Sequence, residues 1–165
     1  MKRLSQLLAA AFMLFLVACG PTKDQAIEFN DQIVKDQKNA LLLAENLMSS
    51  IYDWDGVQAA KDLKSFQNGI SDMIKKYEEM KKFDKEDEFR TAMISLLKVI
   101  EKSNDGFEGI VELMEEYPDP SVLTDDDAFE IEDIMDDIFD TIDVENKIFL
   151  RVQESFAKKY EFPLE

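Results

Sequence analysis

The feature that most constrains this chain is an apolar repeat in alternating steps of three and four, running from about residue 22 to residue 160. That spacing lines side chains along one face of an α-helix and does not suit the two-residue alternation of a strand. Five glycines and four prolines in 165 residues leave the repeat few places to stop. Asp53-Trp54-Asp55-Gly56 is one break and Pro118-Asp119-Pro120 another, since two prolines cannot sit inside a helix.

Four helical segments are predicted. The first runs from about Thr22, a side chain able to cap it, to Tyr52, with Ala26, Ile33, Leu41, Ala44, Met48 and Ile51 on one stripe. The second runs from about Gly56 to Phe83, with Val57, Leu63, Phe66, Ile70 and Tyr77 in phase. The third runs from about Lys85 to Tyr117, capped by Asp84. Its phase continues across Asn104-Asp105-Gly106, which predicts one helix there, with two shorter helices as the alternative. The fourth runs from the cap Thr124 to about Tyr160 and carries Ala128, Ile131, Met135, Ile138, Ile142 and Phe149 on one face. Four helices of about 30 residues, each about 45 Å long, predict an all-α fold: an antiparallel up-down four-helix bundle with long helices. A three-helix core with a detached first helix is the alternative.

The residues ahead of the bundle have a different character. Lys2 and Arg3 precede an almost unbroken apolar run, Leu7 to Ala18, which is too short for a comfortable membrane span. The run ends in Leu16-Val17-Ala18-Cys19, with Cys19 the single cysteine. These residues resemble the lipobox of bacterial lipoproteins. The resemblance implies lipidation of Cys19, cleavage before it and anchoring to a membrane through the acyl chains, stable when there are two or more. It divides the chain into a signal peptide, residues 1–18, a linker to the lipid anchor, residues 19–21, and a bundle domain, residues 22–162. Gly20 after the cysteine resembles outer-membrane sorting in some Gram-negative bacteria and points to a lipid-anchored envelope protein on the periplasmic or surface face. An ordinary secreted protein and a retained membrane helix are the alternatives. With Cys19 lipidated, no thiol is left for a disulfide or a cysteine metal site.

Charge narrows the partners. The chain holds 36 acidic and 19 basic residues, net −17, and Lys2 and Arg3 both lie in the leader. So acidic a surface repels nucleic acid and anionic headgroups; it suits a basic protein partner or diffuse cations. A hydrophobic content of 45% in periodic positions argues against disorder. The absence of histidine removes the usual di-iron bundle site, histidine acid–base chemistry and the Ser-His-Asp triad. No phosphate-cradling glycine motif is present. The expectation is a non-enzyme without a cofactor, acting as a binding or structural module. The alternative is a cation- or small-polar-ligand-binding lipoprotein.

Two clusters are candidate sites. The stretch Thr124–Glu145 is rich in acids and lacks Lys and Arg. Carboxylates attract Ca²⁺, and Asp126, Asp133, Asp137 and Asp140 are the weak metal candidates; their helical spacing predicts a solvated face rather than converging ligands. The second cluster is polar. Asn30 and Gln37 lie seven apart on the inward phase of the first helix, and Glu145 interrupts the apolar phase of the fourth. If antiparallel partners sum to about 182, Gln37 lies level with Glu145 and Asn30 with Val152. Such a layer sets helix register or lines a small polar pocket. Trp54 at the first break is either a cap on the bundle end or an anchor for a partner.

The segment Ala26–Gln37, with its Asn-Asp-x-Ile-Val-x-x-Gln core, is similar to the opening of a family of helical surface lipoproteins from spirochaetes and the Bacteroidetes group. Phe29 stands where that family usually has a tyrosine-like aromatic. The resemblance implies an envelope location and a bundle, and no activity.

Overall fold

Thr22 starts the first helix by a reciprocal cap: its Oγ1 accepts from the Gln25 amide, and Gln25 Oε1 accepts from the Thr22 amide at 2.9 Å. The computed structural model describes residues 20–164, all-helical with no strand among them. Helix α1 is Lys23–Tyr52, α2 Gly56–Glu79, α3 Glu88–Lys102, α4 Asn104–Glu116 and α5 Asp125–Lys159, with a 3-10 turn at Pro120–Val122. Four helical segments pack together, the third divided into α3 and α4. Cys19 and residues 1–18, where a signal peptide is expected, lie outside the described residues.

The buried series of α1 is a strict heptad: Ala26, Asn30, Ile33, Gln37, Ala40, Ala44, Leu47 and Ile51. Leu41 and Met48, expected inside, are one position off this series and only half-buried. α1 packs chiefly on α2, and α5 chiefly on α3. Close approach of α1 and α2 uses Gly69, where a Cβ would fall 2.5 Å from Leu43 Cδ1. α5 leans on α4 in the same way: a Cβ at Gly106 would meet Ile134 Cγ2 and Ile138 Cδ1 at 3.1 Å.

Several boundaries differ from expectation. α2 stops at Glu79 rather than Phe83, and its buried series is Ala59, Leu63, Phe66, Ile70, Ile74 and Tyr77; Val57, expected inside, falls on the opposite side of the helix from that series and is 71% exposed. The third segment is two helices. Ser103 separates them: its hydroxyl and its amide both bond the Ile100 carbonyl, at 2.6 and 3.2 Å, which tightens the turn and interrupts the α pattern. Asp84 caps the turn before α3 rather than the helix, accepting from the Glu86 and Asp87 amides at 3.1 and 2.7 Å. Thr124 and Asp127 form the second reciprocal cap, at the start of α5. Ala128, one turn further, is exposed.

Two of the helices end on residues in the left-handed region that glycine usually fills. After α1 the residue is Trp54, φ 52°, with Asp55 N–H bonding Ser50 O and Trp54 N–H bonding Ile51 O. After α5 it is Glu161, φ 58°, with Phe162 N–H bonding Ala157 O. The second turn folds Phe162 back into an aromatic cluster in which Phe29 stacks on Phe83 at 4.4 Å and Phe89 meets Phe156 at 4.9 Å.

Candidate functional site

Two polar pairs join α1 to α5. Gln37 Nε2 donates to Asn146 Oδ1 at 2.6 Å, and Gln153 Nε2 donates to Asn30 Oδ1 at 3.0 Å. Asn30 Nδ2 also donates to Asp31. Asn30 and Gln37 are buried in the core series, so each amide needs a partner, and each has one. Their partners lie one residue beyond the expected ones. Both pairs sum to 183, and one step along a helix turns a side chain by about 100°. Asn146, not Glu145, therefore meets Gln37, and Gln153, not Val152, meets Asn30. Glu145 is half-buried beside the pair.

Past Asn146 the α1–α5 seam opens. α1 is held to α2 at Gly69 and α5 to α4 at Gly106, and a groove of about 570 Å³ remains between them. Leu41, Ala44 and Met48 line one wall; Phe139 and Ile142 line the other, with Glu45 and Asp143 among the lining residues. A second hollow of about 500 Å³ shares Tyr52 with the first and continues past Met135 and Ile131 to Leu123. Trp54 lines it as well. Tyr52 is 71% exposed and Phe139 58%. The Trp54 indole N–H donates to the Tyr117 carbonyl at 3.0 Å, so this residue is half-buried and ties the α1–α2 corner to the end of α4.

The charge around the groove is one-sided. Residues 103–146 contain 17 of the 36 acidic side chains and none of the 19 basic ones. The groove-lining stretch of α1 is equally free of lysine and arginine, none occurring between Lys38 and Lys61. Asp126, Asp133, Asp137 and Asp140 are all exposed, and among the described residues no three acidic side chains converge as metal ligands. Three aspartates in the first turn of α5 suit the positive end of the helix dipole.

Ionic contacts of a different kind surround the aromatic cluster. Asp84 accepts from Lys159 at 2.9 Å and from the Tyr160 hydroxyl at 2.7 Å, and Lys159 also pairs with Glu86. Burial would raise the Asp84 carboxyl, but the bonds from Lys159, the Asp87 amide and Tyr160 outweigh it and hold the group at about 2. Tyr160 is pushed up to about 12, first by burial and then by Asp84. Arg90 forks onto Asp87 and donates to the Tyr77 carbonyl at the end of α2, both at 2.5 Å. The Tyr77 hydroxyl donates to Asp36 at 2.7 Å; burial, then that carboxylate, lifts its pKa well above the tyrosine range. These groups are consumed by one another and serve the fold.

Sequence reasoning missed the groove. Its signal was present in the one-residue offset of Leu41 and Met48 from the buried series, about 100° around the helix, and in Phe139, an aromatic among aspartates. No protein-family model, curated protein or solved structure matches this chain. Among the described residues no helix is long and apolar enough to cross a membrane.

Proposed function

We propose that the chain is a lipid-anchored lipoprotein of a bacterial cell envelope whose helices form an up-down antiparallel bundle, and that the bundle is a binding module for a cationic partner. The antiparallel arrangement is supported by the constant sum of 183 across the two α1–α5 amide pairs. The anchor is supported by the basic start, the apolar run and Leu16-Val17-Ala18-Cys19. Since α1 begins at Lys23, residues 20–22 are all that would separate a lipidated Cys19 from the bundle.

The observation that carries the binding reading is the segregation of charge. Lys75, Lys76, Lys81, Lys82, Lys158 and Lys159 lie toward the aromatic cluster near the start of α1 and Lys61 and Lys64 on the early turns of α2, whereas every charged side chain of residues 103–146 is acidic. A tether at the start of α1 leaves the acidic part pointing away from the membrane. There its field raises the local concentration of cationic partners and their association rate.

The anchor is tested by expressing the full chain in a Gram-negative host with labelled palmitate. The wild type takes up label and fractionates with membranes, and Cys19→Ser takes up none. Equal labelling of the two overturns the anchor. The binding reading is tested by retention of short basic peptides on the immobilised protein, lost in high salt; equal retention of acidic and basic peptides overturns it.

A further inference from the structure

We infer that the α1–α5 groove is a docking site for an amphipathic helix of a partner protein that carries apolar side chains on one face and lysine or arginine on its flanks. This rests on the binding-module reading and names its site.

The floor of the groove is apolar and its surroundings are acidic. Leu41, Met48, Phe139 and Ile142 face a hollow large enough for several side chains. Glu45, Glu132, Asp136 and Asp143 stand along it and the adjoining hollow, Asp143 paired with Lys147 one turn away. Apolar surface left in water is costly, so an occupant that covers Phe139 and Tyr52 gains by burial. The same occupant desolvates nearby carboxylates, which is unfavourable unless it brings cations. A neutral lipid or an uncharged hydrophobe supplies none. A second copy of this chain brings further negative charge, since its net charge is −17. Anionic ligands are repelled outright.

Shape agrees with a helix. The two hollows together follow α5 from Ala128 to Asn146. That is about 27 Å of helix axis, the length of about 18 residues or five turns. Two hollows in succession along one helix suit side chains spaced i, i+3, i+4 and i+7 on an incoming helix. Gln37 and Asn146 close its upper end, and Trp54 and Leu123 lie near its lower end.

The experiment uses the mature full-length protein in nanodiscs of zwitterionic phosphatidylcholine, with empty discs subtracted. Trp54 is the only tryptophan and lines the second hollow, so its fluorescence reports occupancy. The probe is an 18-residue peptide of leucine, lysine and alanine, with leucines on one helical face. A scrambled peptide of the same composition, and one with glutamate for lysine, are the comparisons. The amphipathic lysine peptide shifts Trp54 emission and binds at least tenfold more tightly than the scramble. Raising salt from 50 to 500 mM weakens it at least tenfold. Phe139→Ser and the pair Glu132→Lys/Asp136→Lys each weaken it at least fivefold, with helical content unchanged by circular dichroism. Val57→Ser, an apolar side chain on α2 more exposed than Phe139, leaves it unchanged.

Equal binding of the scrambled peptide overturns the groove and leaves only diffuse attraction of cations. Failure of both lysine peptides to bind overturns the binding-module reading with it. Undiminished affinity in Phe139→Ser, with the protein folded, also overturns the groove.

Discussion

Gln37 Nε2 lies 2.6 Å from Asn146 Oδ1, an amide pair across the α1–α5 seam at the point where tight packing gives way to the groove. A buried glutamine bonded to its partner stabilises little in net terms, but a buried amide that has lost its partner is costly. Gln37→Leu alone is therefore expected to destabilise the protein by about 1–2 kcal/mol, because Asn146 is left unpaired. The double variant Gln37→Leu/Asn146→Leu is expected to recover much of that loss. Urea unfolding of the four-member cycle checks this, and strict additivity would show that the two side chains are uncoupled.

That pair also marks where sequence reasoning succeeded and where it stopped. Asn30 and Gln37 were legible as inward-facing because their seven-residue separation matches Val34 and Leu41, although those two are themselves only half-buried, one position off the buried series. The identity of their partners was not. One chain's period says which face of a helix is buried but not how far two helices slide along each other, and a slip of one residue exchanges Glu145 for Asn146. Chain ends behaved similarly. Thr22 and Thr124 announce their helices because capping is local chemistry. Ala128 carries the right phase, seven residues before Met135, yet remains exposed, because cover at a helix end depends on the length of its neighbours. The groove was hidden for the same reason: it is set by where Gly69 and Gly106 allow backbones to approach.

Arg90 and Asp87 form an ion pair with side chains 12% and 3% exposed, and Asp87 holds the left-handed conformation, φ 57°. Removing the guanidinium strands a buried carboxylate. Arg90→Met is expected to cost about 3–5 kcal/mol in urea unfolding, and Arg90→Met/Asp87→Asn distinctly less, since asparagine is neutral and tolerates this backbone. A double variant as unstable as the single one would mean that the Tyr77 carbonyl, not Asp87, is what Arg90 serves.

Asp84 ties stability to acid. Its carboxyl titrates at about 2 in the folded protein against 3.8 in the unfolded chain, so the unfolded state binds the proton first as pH falls. The stabilisation is complete above about pH 4 and is lost between about pH 4 and pH 2, an effect of no more than about 2 kcal/mol. Tyr160 acts at the other limb. With its folded value at about 12 against 10.0, its contribution is complete below pH 10 and fades as pH rises toward 12. Urea midpoints across pH should be flatter for Asp84→Asn in the acid window and for Tyr160→Phe in the alkaline one. An unchanged acid slope in Asp84→Asn would remove this assignment.

Gly109 lies exposed within α4, and a Cβ there would meet nothing within 4 Å. Alanine at such a site gains helix propensity without a clash, so Gly109→Ala is expected to stabilise by about 0.8–1 kcal/mol and to raise the melting midpoint by about 2–4 °C. Gly69→Ala has the same intrinsic gain but must displace Leu43, and its stabilisation should be smaller or absent. Thermal melts of the two variants, read side by side, separate propensity from packing. Equal shifts would mean that Leu43 moves aside freely.

The aspartates of α5 give the last expectation. Asp126, Asp133, Asp137 and Asp140 are spread over 15 residues, about 21 Å of helix axis from first to last, too far for one ion to gather them. Spread charge of one sign repels itself and destabilises the compact state, and any salt relieves that repulsion through screening. Millimolar CaCl₂ should therefore raise the melting midpoint by no more than MgCl₂ at the same concentration, and sufficient NaCl should reproduce the shift. A coordinated Ca²⁺ behaves differently: it binds the native state alone and adds stability as the logarithm of its concentration over its dissociation constant. At 1,000 times that constant the gain is about 4 kcal/mol. A calcium-specific rise of that size, absent with magnesium and removed by Asp137→Asn, would establish a site although no three acidic side chains converge among the described residues.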